Sequence, residues 1–134
     1  MPNQPVTVLI VEDRKSFRAV LREFLALKFP NFKLLEAATG ARALQQFDQH
    51  QPRLVLMDIQ LPDINGIEAA RRIKARSPDT VVIAMSMMNE AHIADRALAA
   101  GASAFISKDH LFRDLEPLIR QFADFGPDSP QVSP

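Results

Sequence analysis

Five short runs of β-branched and apolar residues alternate strictly with helical patterns along these 134 residues, and few architectures accept such an order. The runs are Val6–Val11, Phe32–Ala37, Leu54–Met57, Val81–Met85 and Ala104–Ile106. Most are continuously apolar, which predicts strands buried on both faces of a parallel sheet.

The segments between them carry the helical period. Phe17, Val20, Leu21, Phe24 and Leu25 form one apolar stripe, on a helix that stops before Pro30. A second helix runs from Thr39, its N-cap, to Gln49, with Leu44 and Phe47 inward. A third follows Asn65-Gly66, carries Ile67, Ala70 and Ile73, and ends before Ser77-Pro78. The fourth spans Asn89–Ala100 and stops at Gly101, a residue suited to the position after a helix end. The fifth presents Leu115, Leu118, Ile119 and Phe122; it either begins near Asp114, placing Pro117 in the tolerant first turn, or is kinked at Pro117. Strand–helix units in this order predict an α/β fold with a doubly wound, five-stranded parallel sheet and five helices, in the flavodoxin-like order 2-1-3-4-5. The domain is expected over residues 1–125. Residues 126–134 (GPDSPQVSP) lack apolar pattern and are expected to be a disordered tail or the start of a linker to an effector domain.

Charge and composition remove several functions. Lys plus Arg and Asp plus Glu number 16 each, with no basic run, so direct nucleic-acid contact by this chain is not expected. The absence of cysteine excludes disulfides and thiol chemistry. No apolar stretch approaches the roughly 20 residues of a membrane span, and the first residues lack a signal-peptide pattern. The expectation is a soluble, cytoplasmic protein.

In such a sheet, ligands bind beyond the carboxyl ends of the strands, where the strand order reverses. Strand 1 ends in Val11-Glu12-Asp13 and strand 3 in Met57-Asp58, so three carboxylates converge on one edge. Such like charges raise each other's pKa unless a hard cation such as Mg²⁺ joins them. Strand 5 ends in Ser107-Lys108 and strand 4 in Met85-Ser86, adding an ammonium and a hydroxyl. Together these make a phosphoryl-transfer site with an aspartyl nucleophile. Asp58 would attack phosphorus, and Asp13 and Asp58 would hold the metal, with Glu12 acting through water. Lys108 would supply a second positive charge, and Ser86 a hydroxyl for a phosphoryl oxygen. Taken alone, Asp13 reads more readily as an N-cap of the first helix, and Asp58 as a turn former; their joint placement with Glu12 at the strand ends favours the site.

The segments VLIVEDRKSFR, LVLMDIQLPDINGIE, VVIAMSMMNE and GASAFISKD resemble those of bacterial two-component response-regulator receiver domains, CheY-like in fold, over about Val6–Phe125. GASAFISKD and the Lys-Asp dipeptide look more like the NarL/FixJ subfamily. The resemblance implies phosphorylation of Asp58 by a sensor histidine kinase or a phosphotransfer protein. It implies Mg²⁺ at Glu12, Asp13, Asp58 and the backbone carbonyl of Gln60, and a switch in which Ser86 moves toward the phosphoryl group while Phe105 turns inward. It further implies an output through the face of helix 4, strand 5 and helix 5, commonly transcription regulation, with a homodimer as one form of the phosphorylated state. Asp109 stands where many receivers carry Pro, often after a cis bond. Met88, two residues past Ser86, occupies a position that can shape access for attacking water.

A dehalogenase-like phosphohydrolase would carry its nucleophile after strand 1, and a flavin-binding module would need a phosphate cradle where Glu12-Asp13 stand. The remaining alternative is a degenerate receiver acting as a phosphate-independent interaction module. On the receiver reading the chain is a switch rather than an enzyme.

Overall fold

The structure, a computed structural model, describes residues 5–87 and 91–122. Strands β1 (Val6–Val11), β2 (Phe32–Ala37), β3 (Leu54–Asp58), β4 (Val81–Ser86) and β5 (Ala104–Ser107) form one parallel sheet in the order β2-β1-β3-β4-β5. Helices α1 (Lys15–Lys28), α2 (Gly40–His50), α3 (Gly66–Arg76), α4 (Ala91–Ala99) and α5 (Leu111–Gln121) alternate with them. The expected order and helix number are those observed. The last three strands each run one residue past their apolar run, because ladder hydrogen bonding continues where hydrophobicity stops. The start of the fourth helix at Asn89, Met88, the domain end at 125 and the tail 126–134 lie outside the described residues.

The central strand β3 is buried along its whole length, and β1 almost so, which is why both read as unbroken apolar runs. Alternate residues feed opposite cores. Val8, Ile10, Leu54 and Leu56 meet Leu21 and Leu25 of α1 and Leu115 and Ile119 of α5. Leu9, Val11, Val55 and Met57 meet Phe47 of α2 and Ile73 of α3. A smaller cluster of Ile59, Ala84, Ile93, Ala97 and Ala102 lies under α4, with Phe105 packed half-buried against it.

Two expectations are corrected. Val20 is 52% exposed: it lies on the solvent side of α1, while Phe17, Leu21, Phe24 and Leu25 cover the stripe. Neither is Pro117 in a first turn. A 3₁₀ turn over Lys108–His110 runs directly into α5, which starts at Leu111, so Pro117 falls in the second turn on the exposed side. There its ring removes the amide that the Arg113 carbonyl would accept from. Thr39 does cap α2, its side chain accepting from the Arg42 N–H at 3.0 Å. Gly101 takes φ +108°, the left-handed region that ends α4.

Gly66 matters for a different reason. Asn65 caps α3 through the Ile67 N–H, and the Gly66 N–H donates to the Ile59 carbonyl at 2.8 Å. This draws the helix start against the end of β3, where a Cβ on residue 66 would overlap the Asp58 carbonyl oxygen and come within 2.7 Å of the Ile59 Cα. Backbone cannot rotate aside as a side chain can. Gly66→Ala is therefore expected to lower stability by about 3 kcal/mol, read from the denaturant midpoint; a wild-type midpoint would show that the β3–α3 connection yields freely.

Candidate functional site

Sheet register brings the candidate residues together. Val11 pairs with Met57, Asp58 with Met85, and Ser86 with Ser107, so Glu12, Asp58, Ser86 and Lys108 end up side by side at the carboxyl edge. Glu12 and Asp58 are buried there, at 0% and 1% exposure, while Asp13 is exposed. One carboxylate oxygen from each of the three lies within 4.8 Å of the others.

Lys108 is the hub. Its ammonium lies 2.7 Å from Glu12 Oε1 and donates a 3.1 Å hydrogen bond to Asp58 Oδ2. The other Asp58 oxygen accepts from the Gln60 N–H at 3.1 Å, which fixes the carboxylate plane. Burial pushes the Asp58 carboxyl up to about 6 from its ordinary 3.8, and the Glu12 charge adds to the rise. The Lys108 charge and the Gln60 N–H oppose it. Desolvation thus outranks the carboxylate repulsion expected from the sequence.

Asp13 does not cap α1. The N-cap is Arg14, without a side-chain bond, and it is Glu12 Oε2 that accepts from the Arg14 N–H at 3.1 Å. This leaves the Asp13 carboxylate available at the mouth of the pocket. Glu12, expected to act on a metal mainly through water, also makes the shorter of the two contacts with Lys108.

Ser86 is fully buried at the end of β4. Phe105 is half-buried on β5, opposite Ala84. Its expected place in the core is only partly realised. Gln60 contributes its amide, and its backbone bridges to Asn65. The Lys108–Asp109 bond is trans, there being no cis peptide among the described residues. The Ser107 hydroxyl accepts from the Asp109 N–H at 3.3 Å, so the 3₁₀ turn follows the lysine at once and no loop intervenes before α5.

Residues without an assigned role complete the site. Arg18 Nη1 donates to the Glu12 carbonyl at 2.7 Å, while its Nε pairs with Glu36 at 2.8 Å, tying the β1 end to β2. The cation one turn into the helix after an acidic pair was the available signal. Asp63 accepts from the Gly40 and Ala41 N–H groups, both at 2.8 Å, and anchors the loop after β3 on the start of α2. Those two bonds hold the Asp63 carboxyl below its ordinary pKa. Phe17, read only as core, lies with its ring against the Lys108 ammonium.

The carboxylates fit a small divalent cation. One carboxylate oxygen from each of three side chains, all within 4.8 Å of one another, is the hard-oxygen donor set that a small divalent cation accepts, with water completing its shell. A buried carboxylate flanked by an ammonium, with room for a metal, is equipped to receive a phosphoryl group.

Comparison with known proteins identifies the family. The profile described as "Response regulator receiver domain" matches residues 8–120. The transcriptional activator protein ExaE of Pseudomonas putida is 39% identical over 101 residues, 75% of this chain and 47% of that protein. The signal receiver domain of the DNA-binding response regulator merR from Colwellia psychrerythraea superposes with a TM-score of 0.82 at 29% identity, covering 87% of this chain and 97% of that one. The receiver domain of NarL from Mycobacterium tuberculosis gives 0.81 at 27% identity, covering 89% and 96%. The chain spans about half the length of the curated relatives it matches. Among the described residues no helix is long and apolar enough to cross a membrane.

Proposed function

Since the chain belongs to the response regulator receiver domain family, with NarL- and LuxR-type regulators among its relatives, we propose that Asp58 is its phosphoacceptor and that phosphorylation switches an output face. The observation that carries this is the Asp58 carboxylate itself. It is buried at the end of the central strand, held between Lys108 and the Gln60 N–H, with Glu12 and Asp13 oxygens beside it.

In the transfer, an Asp58 oxygen forms the new O–P bond as the donor's bond to phosphorus breaks. From a kinase or phosphotransfer histidine the P–N electron pair stays on the imidazole nitrogen; from acetyl phosphate the P–O pair leaves with acetate. Lys108 lies where the added negative charge arrives and neither gives nor takes a proton. Asp13 and Asp58, the Gln60 carbonyl, and Glu12 through water would hold Mg²⁺, which when bound neutralises phosphoryl oxygens. The phosphoryl group then draws the Ser86 hydroxyl toward it and turns the half-buried Phe105 inward, shifting the surface of α4, β5 and α5. The partner is a sensor histidine kinase or phosphotransfer protein in the cytoplasm. The output is transcription regulation through a separate effector, with the phosphorylated domain able to pair as a homodimer. This domain, of zero net charge, does not itself contact DNA. It acts as a switch and turns over no substrate of its own beyond its phosphoryl group.

With Mg²⁺ and acetyl phosphate, intact-mass analysis is expected to show one phosphoryl adduct, absent when a chelator replaces the metal. NMR shifts on phosphorylation, or with beryllofluoride as its mimic, are expected to concentrate in residues 85–120, Phe105 included, and to fade in α2. A chain that takes no phosphoryl group would instead be a phosphate-independent interaction module. Shifts confined to the loop around Asp58 would refute the switch.

A further inference from the structure

Two carboxylates do not complete the surroundings of Lys108. Its ammonium also lies 4.9 Å from the centroid of the Phe17 ring, within the range where a ring's negative face attracts a cation. The lysine side chain is only 4% exposed, so little water competes for that charge. Phe17 is in turn backed by Phe112 of α5, centroid to centroid 5.9 Å, and Phe112 meets Phe24 edge-on at 5.3 Å. Three rings from two helices thus stand behind one flexible four-carbon stem.

We propose that Phe17 is a positioning residue for phosphoryl transfer: the face of its ring holds the Lys108 ammonium against the Glu12–Asp58 pair, where phosphoryl oxygens arrive. This rests on the reading of Asp58 as acceptor. The attraction has a useful property that a third polar partner would lack. An ammonium has three N–H donors, and a ring face attracts the charge without claiming any one of them. Lys108 can therefore turn a donor from Asp58 to a phosphoryl oxygen while remaining anchored. An aliphatic side chain at residue 17 would fill the same space but supply no such attraction. The ring takes no part in bond making; it determines only where the lysine's charge sits.

The test compares Phe17→Leu and Phe17→Tyr with wild type, using acetyl phosphate at saturating Mg²⁺ and following the adduct by intact mass. Phe17→Leu is expected to lower the maximal labelling rate about thirty-fold, the factor carried by a desolvated contact of this kind, with the donor concentration for half-maximal rate unchanged. Phe17→Tyr, which keeps the ring, is expected to stay within about twofold of wild type. Independently, the ε-methylene protons of Lys108 in the unphosphorylated protein are expected upfield through the ring current in wild type and Phe17→Tyr, and at an ordinary lysine position in Phe17→Leu. Wild-type labelling by Phe17→Leu, or equal losses in both variants, would overturn the proposal. If wild type took no phosphoryl group at all, the acceptor reading would fail instead. The methylene shift would then still decide whether the ring holds the lysine.

Discussion

Asp58→Asn is expected to abolish the phosphoryl adduct and, in metal-free solution, to make the fold more stable. The first effect follows from chemistry, because a carboxamide offers no carboxylate oxygen to form an acyl phosphate. The second follows from burial. The Asp58 carboxyl is pushed up to about 6 from 3.8 by desolvation and by Glu12, so the folded protein holds its proton more tightly than the unfolded chain does. Below pH 3.8 the carboxyl is protonated in both states, and its ionisation costs nothing. Between 3.8 and about 6 the unfolded chain ionises first and wild-type stability falls; above about 6 the whole penalty is present. The advantage of Asp58→Asn should therefore be absent in acid, grow through that window, and level off at up to about 3 kcal/mol. Chemical denaturation across pH, with a chelator present, measures it. A variant less stable than wild type at neutral pH would mean that Asp58 is held by its partners more than it is penalised by burial. Persistent labelling would remove Asp58 from the acceptor role.

Lys108→Met acts in the opposite direction. Methionine keeps most of the apolar stem and removes the ammonium that faces two carboxylates that are 0% and 2% exposed. Breaking a buried pair from one side leaves charge without compensation, at about 3–5 kcal/mol. That loss is expected at pH 8 in chelator. It should shrink in acid, where Asp58, whose carboxyl is pushed up to about 6, takes up its proton, and in Mg²⁺, which replaces the missing charge. Mg²⁺ should consequently stabilise Lys108→Met more than it stabilises wild type. Equal stability of the two proteins in chelator would show that the carboxylates are solvated in solution and that the hub role of Lys108 is absent.

The fold and most of the candidate site were legible because they depend on short-range pattern. Buried parallel strands need unbroken apolar runs, and the five runs located β1 to β5 to within one residue. The order of the sheet followed from the alternation, and Glu12, Asp13, Asp58, Ser86 and Lys108 followed from the rule that ligands meet the strand ends at the point of reversal. Where a second element sets the outcome, pattern falls silent. Val20 has the right spacing for the α1 stripe yet faces solvent, because the phase of the helix against the sheet depends on Leu21 and Leu25 finding their seats. Pro117 falls in the second turn of α5 and not the first, because the Ser107 hydroxyl and the 3₁₀ turn start the helix early.

The residue order by itself determined which groups reach the carboxyl edge: three carboxylates, a hydroxyl and an ammonium, each carried there by its own strand. Tertiary structure alone decided how they meet. Register and burial set Lys108 between Glu12 and Asp58, left Asp13 exposed at the rim, made desolvation the leading influence on Asp58, and brought Phe17 from α1 beneath a lysine ninety-one positions away. The reason is physical. Strand ends are counted along the chain, but charge pairing and desolvation depend on ångström separations and on excluded water, which exist only once helix and sheet have packed.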